Sequence, residues 1–172
     1  MIRRTFLAGA AVAAAAPSVA LGARQPRGEV GILRDALELE QLAVYVYDAG
    51  ITSGLLDEDL VAAVGALREH EQQHADAIGA SLEALGGTRT LPPDSPEAAD
   101  AQLERRKATG RLQAVDGREA FFALVEEIEA LQVAAYVAAA GDLEDVRLIQ
   151  TVGSIAAAEG AHAVVVRGLA GT

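Results

Sequence analysis

The sequence contains no cysteine and no tryptophan, and Met1 is the sole methionine of its 172 residues. Without cysteine, the chain can form no disulfide, no zinc-thiolate site and no iron-sulfur or rubredoxin-type electron relay of its own. Aromatic residues make up only 3% of the sequence, so small and branched aliphatic side chains must build the core. Basic residues are also few, and the formal net charge of -11 argues against nucleic acid and anionic membranes as partners.

Alanine, leucine, valine and glutamate dominate the composition, which is typical of an all-α protein of one domain. Apolar periodicity predicts four long helices. They cover about residues 29–48, with Gly50 as the terminating residue, 58–85, 117–140 after an N-cap at Asp116, and 143–168.

The segment from Thr88 to Val115 separates the second and third helices. Its prolines, Pro92, Pro93 and Pro96, exclude one continuous helix and predict an extended crossover that contains a short polar helix. The other two connections are short. The chain is therefore predicted to form two antiparallel helical hairpins joined by one long crossover, as in one variant of the four-helix bundle.

The first 20 residues have the features of a targeting segment. Arg3 and Arg4 precede an apolar run and a Ser18-Val19-Ala20 sequence that suits a signal peptidase. This pattern resembles a twin-arginine export signal and predicts an extracytoplasmic location, in the periplasm or cell envelope. The alternative is an uncleaved signal that retains the protein as a short membrane anchor. We expect no other segment to approach the roughly 20 apolar residues of a membrane span.

The chain carries an internal repeat. Glu71-Gln-Gln-His74 recurs as Glu159-Gly-Ala-His162, and a lone glutamate precedes each motif, Glu40 by 31 residues and Glu129 by 30. A tyrosine follows each lone glutamate by seven residues, Tyr47 in the first copy and Tyr136 in the second. Such constant spacing indicates two copies of one helical hairpin.

All four repeated glutamates fall on apolar helix faces. Helical spacing surrounds Glu40 with residues such as Leu33, Leu37 and Val44, and the other three have equivalent neighbours. Four carboxylates pointing into one core would repel each other and raise their pKa values unless divalent cations held them together. Pairing of an inward glutamate with an arginine such as Arg68 is the alternative.

In a Glu-x-x-His motif the two side chains lie one turn apart on one helix face. Two motifs and two lone glutamates give six candidate metal ligands: Glu40, Glu71, His74, Glu129, Glu159 and His162. Carboxylates with one imidazole per ion favour iron or manganese. We place Glu38, Glu127 and Asp48 on the surface and Gln132 at the edge of the Glu129 stripe. His70 is also placed on the surface, with an auxiliary ligand as the alternative. Tyr47 and Tyr136 are expected either to pack in the core or to hydrogen-bond the glutamate of the opposite half.

With these residues in place, the chain resembles the ferritin-like di-iron carboxylate superfamily, which includes ferritins, bacterioferritins, rubrerythrins and exported domains related to desiccation proteins. The resemblance covers most of residues 28–170, read as one ferritin-like four-helix domain. It implies a centre of two Fe ions, with Mn as the alternative. Glu71 and Glu159 would bridge the ions, while Glu40 with His74 and Glu129 with His162 would complete one ion each.

The resemblance also implies an activity, oxidation of ferrous iron with oxygen or peroxide, by a ferroxidase or peroxidase-type oxidoreductase that uses an unidentified external electron donor. A non-catalytic metal-binding or stress-protection module and a storage assembly are the alternatives. The lack of cysteine departs from rubrerythrins, and Met1 as the sole methionine leaves no bacterioferritin-type haem ligand. No fifth helix is expected after the fourth, which favours a homodimer over a storage cage.

Overall fold

The computed structural model describes residues 28–171, so the predicted export signal lies outside the described residues. Within this range the chain forms five α-helices and a single 3-10 turn, and it contains no strand. The helices are α1 (Glu29–Thr52), α2 (Glu58–Ala84), α3 (Pro96–Arg105), α4 (Arg118–Asp142) and α5 (Val146–Ala170). The predicted all-α class is confirmed, and α3 is the short helix expected in the crossover.

The helices form two hairpins that face each other. Helix α1 packs along α2 and α4 packs along α5, while α1 and α4 make the main contact between the hairpins. The apolar core consists of two clusters. Leu33 and Leu37 of α1 belong to one cluster, Leu42 and Val46 belong to the other, and Glu40 lies between them along the helix. A polar centre therefore interrupts the core near the middle of the bundle.

Gly50 does not end the first helix, contrary to the sequence prediction. Helix α1 continues to Thr52, and Gly50 is buried in its last turns. A Cβ atom at Gly50 would lie 2.2 Å from Cε2 of Phe121. The glycine is therefore explained by the close approach of an α4 aromatic ring and not by helix termination.

Two other predicted helix ends also move. The residue that caps α4 is Gly117, which makes no side-chain hydrogen bond, so the predicted N-cap at Asp116 is wrong. Helix α5 begins at Val146, where the Asp145 carboxylate accepts a hydrogen bond of 2.7 Å from the Arg147 amide. Both changes shift a helix start by a few residues and leave the hairpin topology intact.

Helix α5 is long and largely apolar. By length and composition alone it could cross a membrane, so the expectation that no later segment comes close is too strict. Its two candidate ligands, Glu159 and His162, are nevertheless buried between the hairpins. Packing along α4 accounts for one face of α5, and exposed Val164 and Val165 lie on its outer surface.

Glu127, predicted to be an ordinary solvated charge, anchors the crossover. Its carboxylate accepts hydrogen bonds from the backbone amides of Thr109 at 2.6 Å and Gly110 at 2.8 Å. Burial works against the charged form, but these backbone hydrogen bonds outweigh it and lower the pKa of Glu127. These hydrogen bonds attach the later part of the crossover, which precedes α4 in the chain, to Glu127 within that helix.

Candidate metal centre

The six predicted ligands come together at the polar centre of the bundle. They are Glu40 of α1, Glu71 and His74 of α2, Glu129 of α4, and Glu159 and His162 of α5. All four glutamates are completely buried, His162 is 5% exposed, and the His74 side chain is 15% exposed. Arg68 does not pair with any of them, because its guanidinium binds both carboxylate oxygens of Asp48, at 2.9 and 3.1 Å.

The six side chains form two overlapping groups of four. In each group the candidate ligand atoms lie within 4.8 Å of one another. We name the group of Glu40, Glu71, His74 and Glu159 position 1, and the group of Glu71, Glu129, Glu159 and His162 position 2. Glu71 and Glu159 belong to both positions, which is the geometry that bridging carboxylates require.

Each histidine approaches the shared glutamate of the other hairpin. His74 Nδ1 lies 2.7 Å from Oε1 of Glu159, and His162 Nδ1 lies 2.8 Å from Oε1 of Glu71. Neither contact has hydrogen-bond geometry, since both carboxylate oxygens lack a hydrogen-bond partner. The two Oε1 atoms therefore each lie beside an imidazole nitrogen without a hydrogen bond to it.

The two tyrosines cross the bundle in the same way. The Tyr47 hydroxyl donates a 2.5 Å hydrogen bond to Oε1 of Glu129, and the Tyr136 hydroxyl donates to Oε1 of Glu40. Both rings are also fully buried in the core. Burial, followed by the charge of the bonded glutamate, raises the pKa of each phenol above its ordinary value, so both remain donors. The expected hydrogen bond to the opposite half's glutamate is confirmed.

Two residues at the centre were missed as site residues by the sequence prediction. Gln132, placed at the edge of a stripe, is completely buried, and its Nε2 donates to Oε2 of Glu40 at 3.1 Å and to Oε2 of Glu71 at 2.7 Å. Its position one turn after Glu129 on an apolar face was the available signal. His70 is exposed as predicted, yet its Nδ1 lies 3.2 Å from Nε2 of His162. No sequence signal indicates that contact.

Burial and mutual repulsion dominate the electrostatics of the centre. Burial, and then the charges of Glu71 and Glu159, raise the pKa of Glu40, and burial raises the pKa of Glu129 to about 7. Burial also disfavours the charged form of Glu159, but the hydrogen bond with His162 and the close approach of the His74 imidazole outweigh it and lower that pKa to about 2. Burial alone would lower the pKa of His162, but the neighbouring carboxylates of Glu129, Glu159 and Glu71 outweigh it and raise that pKa. Without cations, the centre keeps protons to offset its negative charge.

The donor set fits a pair of divalent cations. Four buried atoms of the candidate ligands have no hydrogen-bond partner: Glu71 Oε1, His74 Nδ1, Glu129 Oε2 and Glu159 Oε1. A buried polar atom left in this state costs about 1–3 kcal/mol, and bound cations between the four atoms would remove that cost. Four carboxylates with two neutral imidazoles balance the charge of two divalent ions, and such ligands suit iron or manganese.

Comparisons with known proteins were made on both sequence and structure. The profile of a family described as "Ferritin-like domain" matches residues 28–172. Among solved structures, the chain is similar to a dodecameric thioferritin, the bacterioferritin-related protein from Bacteroides fragilis, with 20% identity and a TM-score of 0.62 over 82% of this chain and 83% of that one. At this identity the likeness shows the fold alone. No curated protein sequence matches the chain.

Proposed function

The chain belongs to the ferritin-like domain family, and on that premise we propose that its centre binds two iron ions and oxidises ferrous iron with oxygen or peroxide. Manganese is the alternative metal. One observation carries the proposal: the orphaned atoms of Glu71, His74, Glu129 and Glu159 all lie within the two overlapping groups of ligands. A helical bundle gains nothing from burying such atoms unless they bind something.

Each side chain has a distinct role in this proposal. Glu71 and Glu159 would bridge the two ions, and Glu40 with His74 and Glu129 with His162 would each complete one ion. Bound iron would supply the redox chemistry at coordination positions that the protein leaves open. Tyr47 and Tyr136 hold the two outer glutamates from across the bundle, which fixes those carboxylates before any metal arrives.

The surroundings of the centre favour small substrates. All four glutamates are completely buried, and the ligands come nearest to solvent at His74. The cavities lined by Arg105, by Arg111 and by Ala138 include none of the six ligands. The burial of the centre therefore supports ferrous iron, oxygen and peroxide as the reactants.

The test is metal loading followed by oxygen uptake. Protein purified after native export would be analysed for metal, stripped, reloaded anaerobically with ferrous iron and exposed to oxygen in an oxygen-electrode cell. We expect two irons per chain and oxygen consumption that Glu71→Gln abolishes. The exposed Glu126→Gln is the matched control and should leave both unchanged, because Glu126 pairs only with Arg167 at the surface.

Three other outcomes would change the proposal. Iron that binds without oxygen or peroxide consumption would favour the non-catalytic metal-binding or stress-protection module. Two manganese ions in the natively purified protein would favour manganese chemistry. Wild-type protein that binds neither metal would refute the proposal, because the six side chains would then hold no metal ion.

Export to the periplasm or cell envelope is part of the proposal. It is supported by Arg3 and Arg4 and the apolar run that follows them. Cell fractionation of wild type and of the Arg3→Lys, Arg4→Lys double variant tests it. We expect the wild type outside the cytoplasm and the variant inside. Mass spectrometry of the exported form determines whether the signal is removed, and wild-type protein found in the cytoplasm would contradict export.

We also propose a small assembly, a homodimer and not a cage. The Bacteroides fragilis protein, which has a similar fold, is named as a dodecamer. The homodimer proposed for this chain therefore differs from the assembly of that protein. Light scattering of the mature protein, with and without iron, measures its mass directly. A dodecamer would overturn the homodimer and return storage to the candidate functions.

A further inference from the structure

The two metal positions have the same kinds of ligand but different neighbours. The repeat aligns Glu40 with Glu129 and Glu71 with Glu159. On that alignment Gln132 of α4 corresponds to Ala43 of α1, and His70 of α2 corresponds to Ala158 of α5. Each polar residue that contacts the ligands thus has an alanine as its counterpart, so the approximate symmetry of the centre is broken twice.

Gln132 occupies carboxylate atoms of position 1. Its buried amide donates to Oε2 of Glu40 and Oε2 of Glu71, and Tyr136 already donates to Oε1 of Glu40. Both oxygens of Glu40 are therefore engaged by neutral donors. The amide must face this way, because the reverse orientation would set its carbonyl oxygen against two carboxylates.

The outer glutamate of position 2 meets no such competition. Glu129 accepts a hydrogen bond from Tyr47 on Oε1 only, and its Oε2 has no hydrogen-bond partner. Ala43, the counterpart of Gln132, has no side chain that could reach it. The outer glutamate of position 2 therefore keeps an oxygen available for a cation, and the outer glutamate of position 1 does not.

His70 adds to the difference from the outer side. Its Nδ1 lies 3.2 Å from Nε2 of His162, and the two rings stack with centroids 5.4 Å apart. In the tautomer that leaves His162 Nδ1 free for a cation, Nε2 donates to His70 Nδ1. This contact holds the inner nitrogen, Nδ1, toward the carboxylates, 3.0 Å from Oε2 of Glu159. Hydrogen bonds of this kind orient a ligand imidazole and make it a stronger donor to metal. Ala158 cannot do the same for His74.

Resting on the function proposed above, we propose that Gln132 and His70 act as positioning residues that make the two positions unequal, so that the position formed by Glu71, Glu129, Glu159 and His162 binds the first divalent cation. Both departures from symmetry act in the same direction. Gln132 weakens position 1 by competing for its outer glutamate, Glu40, and His70 strengthens position 2 by orienting its imidazole.

Calorimetric titration of the stripped full-length protein with Mn²⁺ at about pH 8, read in parallel by electron paramagnetic resonance, is the experiment. We expect two binding steps of different affinity in the wild type. His162→Ala should remove the tight step, and His74→Ala should remove the weak one. The opposite assignment, or two equal steps in the wild type, would overturn the inequality. No binding at all would instead refute the proposed function, so the two failures are distinguishable.

The positioning residues have their own variants. His70→Ala should weaken the tight step about 10-fold or more, within the range found for such outer partners of metal ligands, and His70→Asn should restore part of it by keeping an acceptor near His162. His70 is exposed, so its variants are expected to fold. An unchanged tight step in His70→Ala would contradict its role.

Gln132→Ala reproduces the residue of the other half and should strengthen the weak step, which brings the two affinities together. Ala158→His, at a partly exposed position, should strengthen the same step from the outer side. Gln72→Ala is the control, since Gln72 is a glutamine of α2 whose amide donates a hydrogen bond to Asp76. A weak step that Gln132→Ala leaves unchanged or weakens further would overturn the role of Gln132, even if that variant lost stability.

Discussion

The two hairpins carry the same ligands in the same order, yet each places a different extra group on the other. The second hairpin supplies Gln132 to Glu40 and Glu71, and the first supplies His70 to His162. Alanine stands at both corresponding positions, Ala43 and Ala158. The comparison teaches that an internal repeat can fix a set of ligands while residues outside the repeated motif decide how equal the two halves are.

The largest expected effect comes from the two glutamates that belong to both metal positions. Because Glu71 and Glu159 both belong to the two positions, Glu71→Gln and Glu159→Gln should each abolish the stabilisation by metal. For the wild type that stabilisation is about 4 kcal/mol per ion at 1,000 times the Kd. Thermal unfolding with and without Mn²⁺ measures it. A variant that keeps half of the gain would show that the residue serves one ion only.

Without metal, Glu71→Gln should be no less stable than the wild type, since it removes one carboxylate from a crowded buried group. Glu159→Gln should lose some stability at neutral pH, because the two histidines favour the charged form of Glu159. Urea unfolding of the stripped proteins is the control. A large loss of stability there would mean that the substitution damages the fold and would make the metal result uninformative for that variant.

Acid should weaken metal binding, and more at position 2. Burial raises the pKa of Glu40 in position 1 and that of Glu129, to about 7, in position 2, where the neighbouring glutamates also raise the pKa of His162 despite its burial. Position 2 therefore has two groups with raised pKa values and position 1 has one. A cation must displace the protons they hold, so affinity falls as pH falls, by about tenfold per pH unit for each proton released. Titrations at about pH 8, 7 and 6 should show the two steps converging. Steps that weaken in parallel would contradict this difference between the positions.

The two tyrosine hydroxyl groups should contribute unequally to stability, because the two metal positions they support are unequal. Tyr136→Phe leaves Glu40 with its hydrogen bond from Gln132, whereas Tyr47→Phe leaves Glu129 without its hydroxyl donor. We expect Tyr47→Phe to destabilise the stripped protein by about 1–3 kcal/mol and Tyr136→Phe by about 1 kcal/mol. Urea unfolding of both variants checks the order. Equal losses would indicate that Gln132 contributes little to holding Glu40.

The smallest effect concerns packing between the hairpins. Gly50→Ala would place a Cβ atom 2.2 Å from the Phe121 ring, whereas Gly141→Ala meets nothing within 4 Å. We expect Gly50→Ala to destabilise by about 1–2 kcal/mol through overpacking. Gly141→Ala should instead stabilise α4 by up to about 1 kcal/mol. Thermal unfolding of the pair measures both signs, and a neutral Gly50→Ala would mean that the ring moves aside freely.

Sequence reasoning reached the fold and the six side chains because both depend on local spacing. Glu71 and His74 share a face by helical geometry alone, and the repeat supplies the second copy. The tyrosine contacts were also within reach, since Tyr47 and Tyr136 lie on the same faces as the glutamates. The metal role of these residues and the export signal stay predictions that only experiments on the protein can test.

Two of the errors, at Gly50 and Glu127, have one physical origin. Gly50 was taken as a helix end because glycine often terminates helices, but Phe121 of another helix determines its use here. Glu127 was taken as a solvated charge, yet the amides of Thr109 and Gly110 bind it. In each case the partner comes from a different element, and no periodicity within one helix can indicate it.

The sequence by itself determined four amphipathic helices, one long crossover and a duplicated set of four glutamates and two histidines. Those features follow from residue types at fixed spacings along single helices. Only the tertiary structure decided which atoms of that set are already engaged and which are free. That outcome depends on the packing of one hairpin against the other, where Gln132 reaches Glu40 and Glu71 and His70 reaches His162.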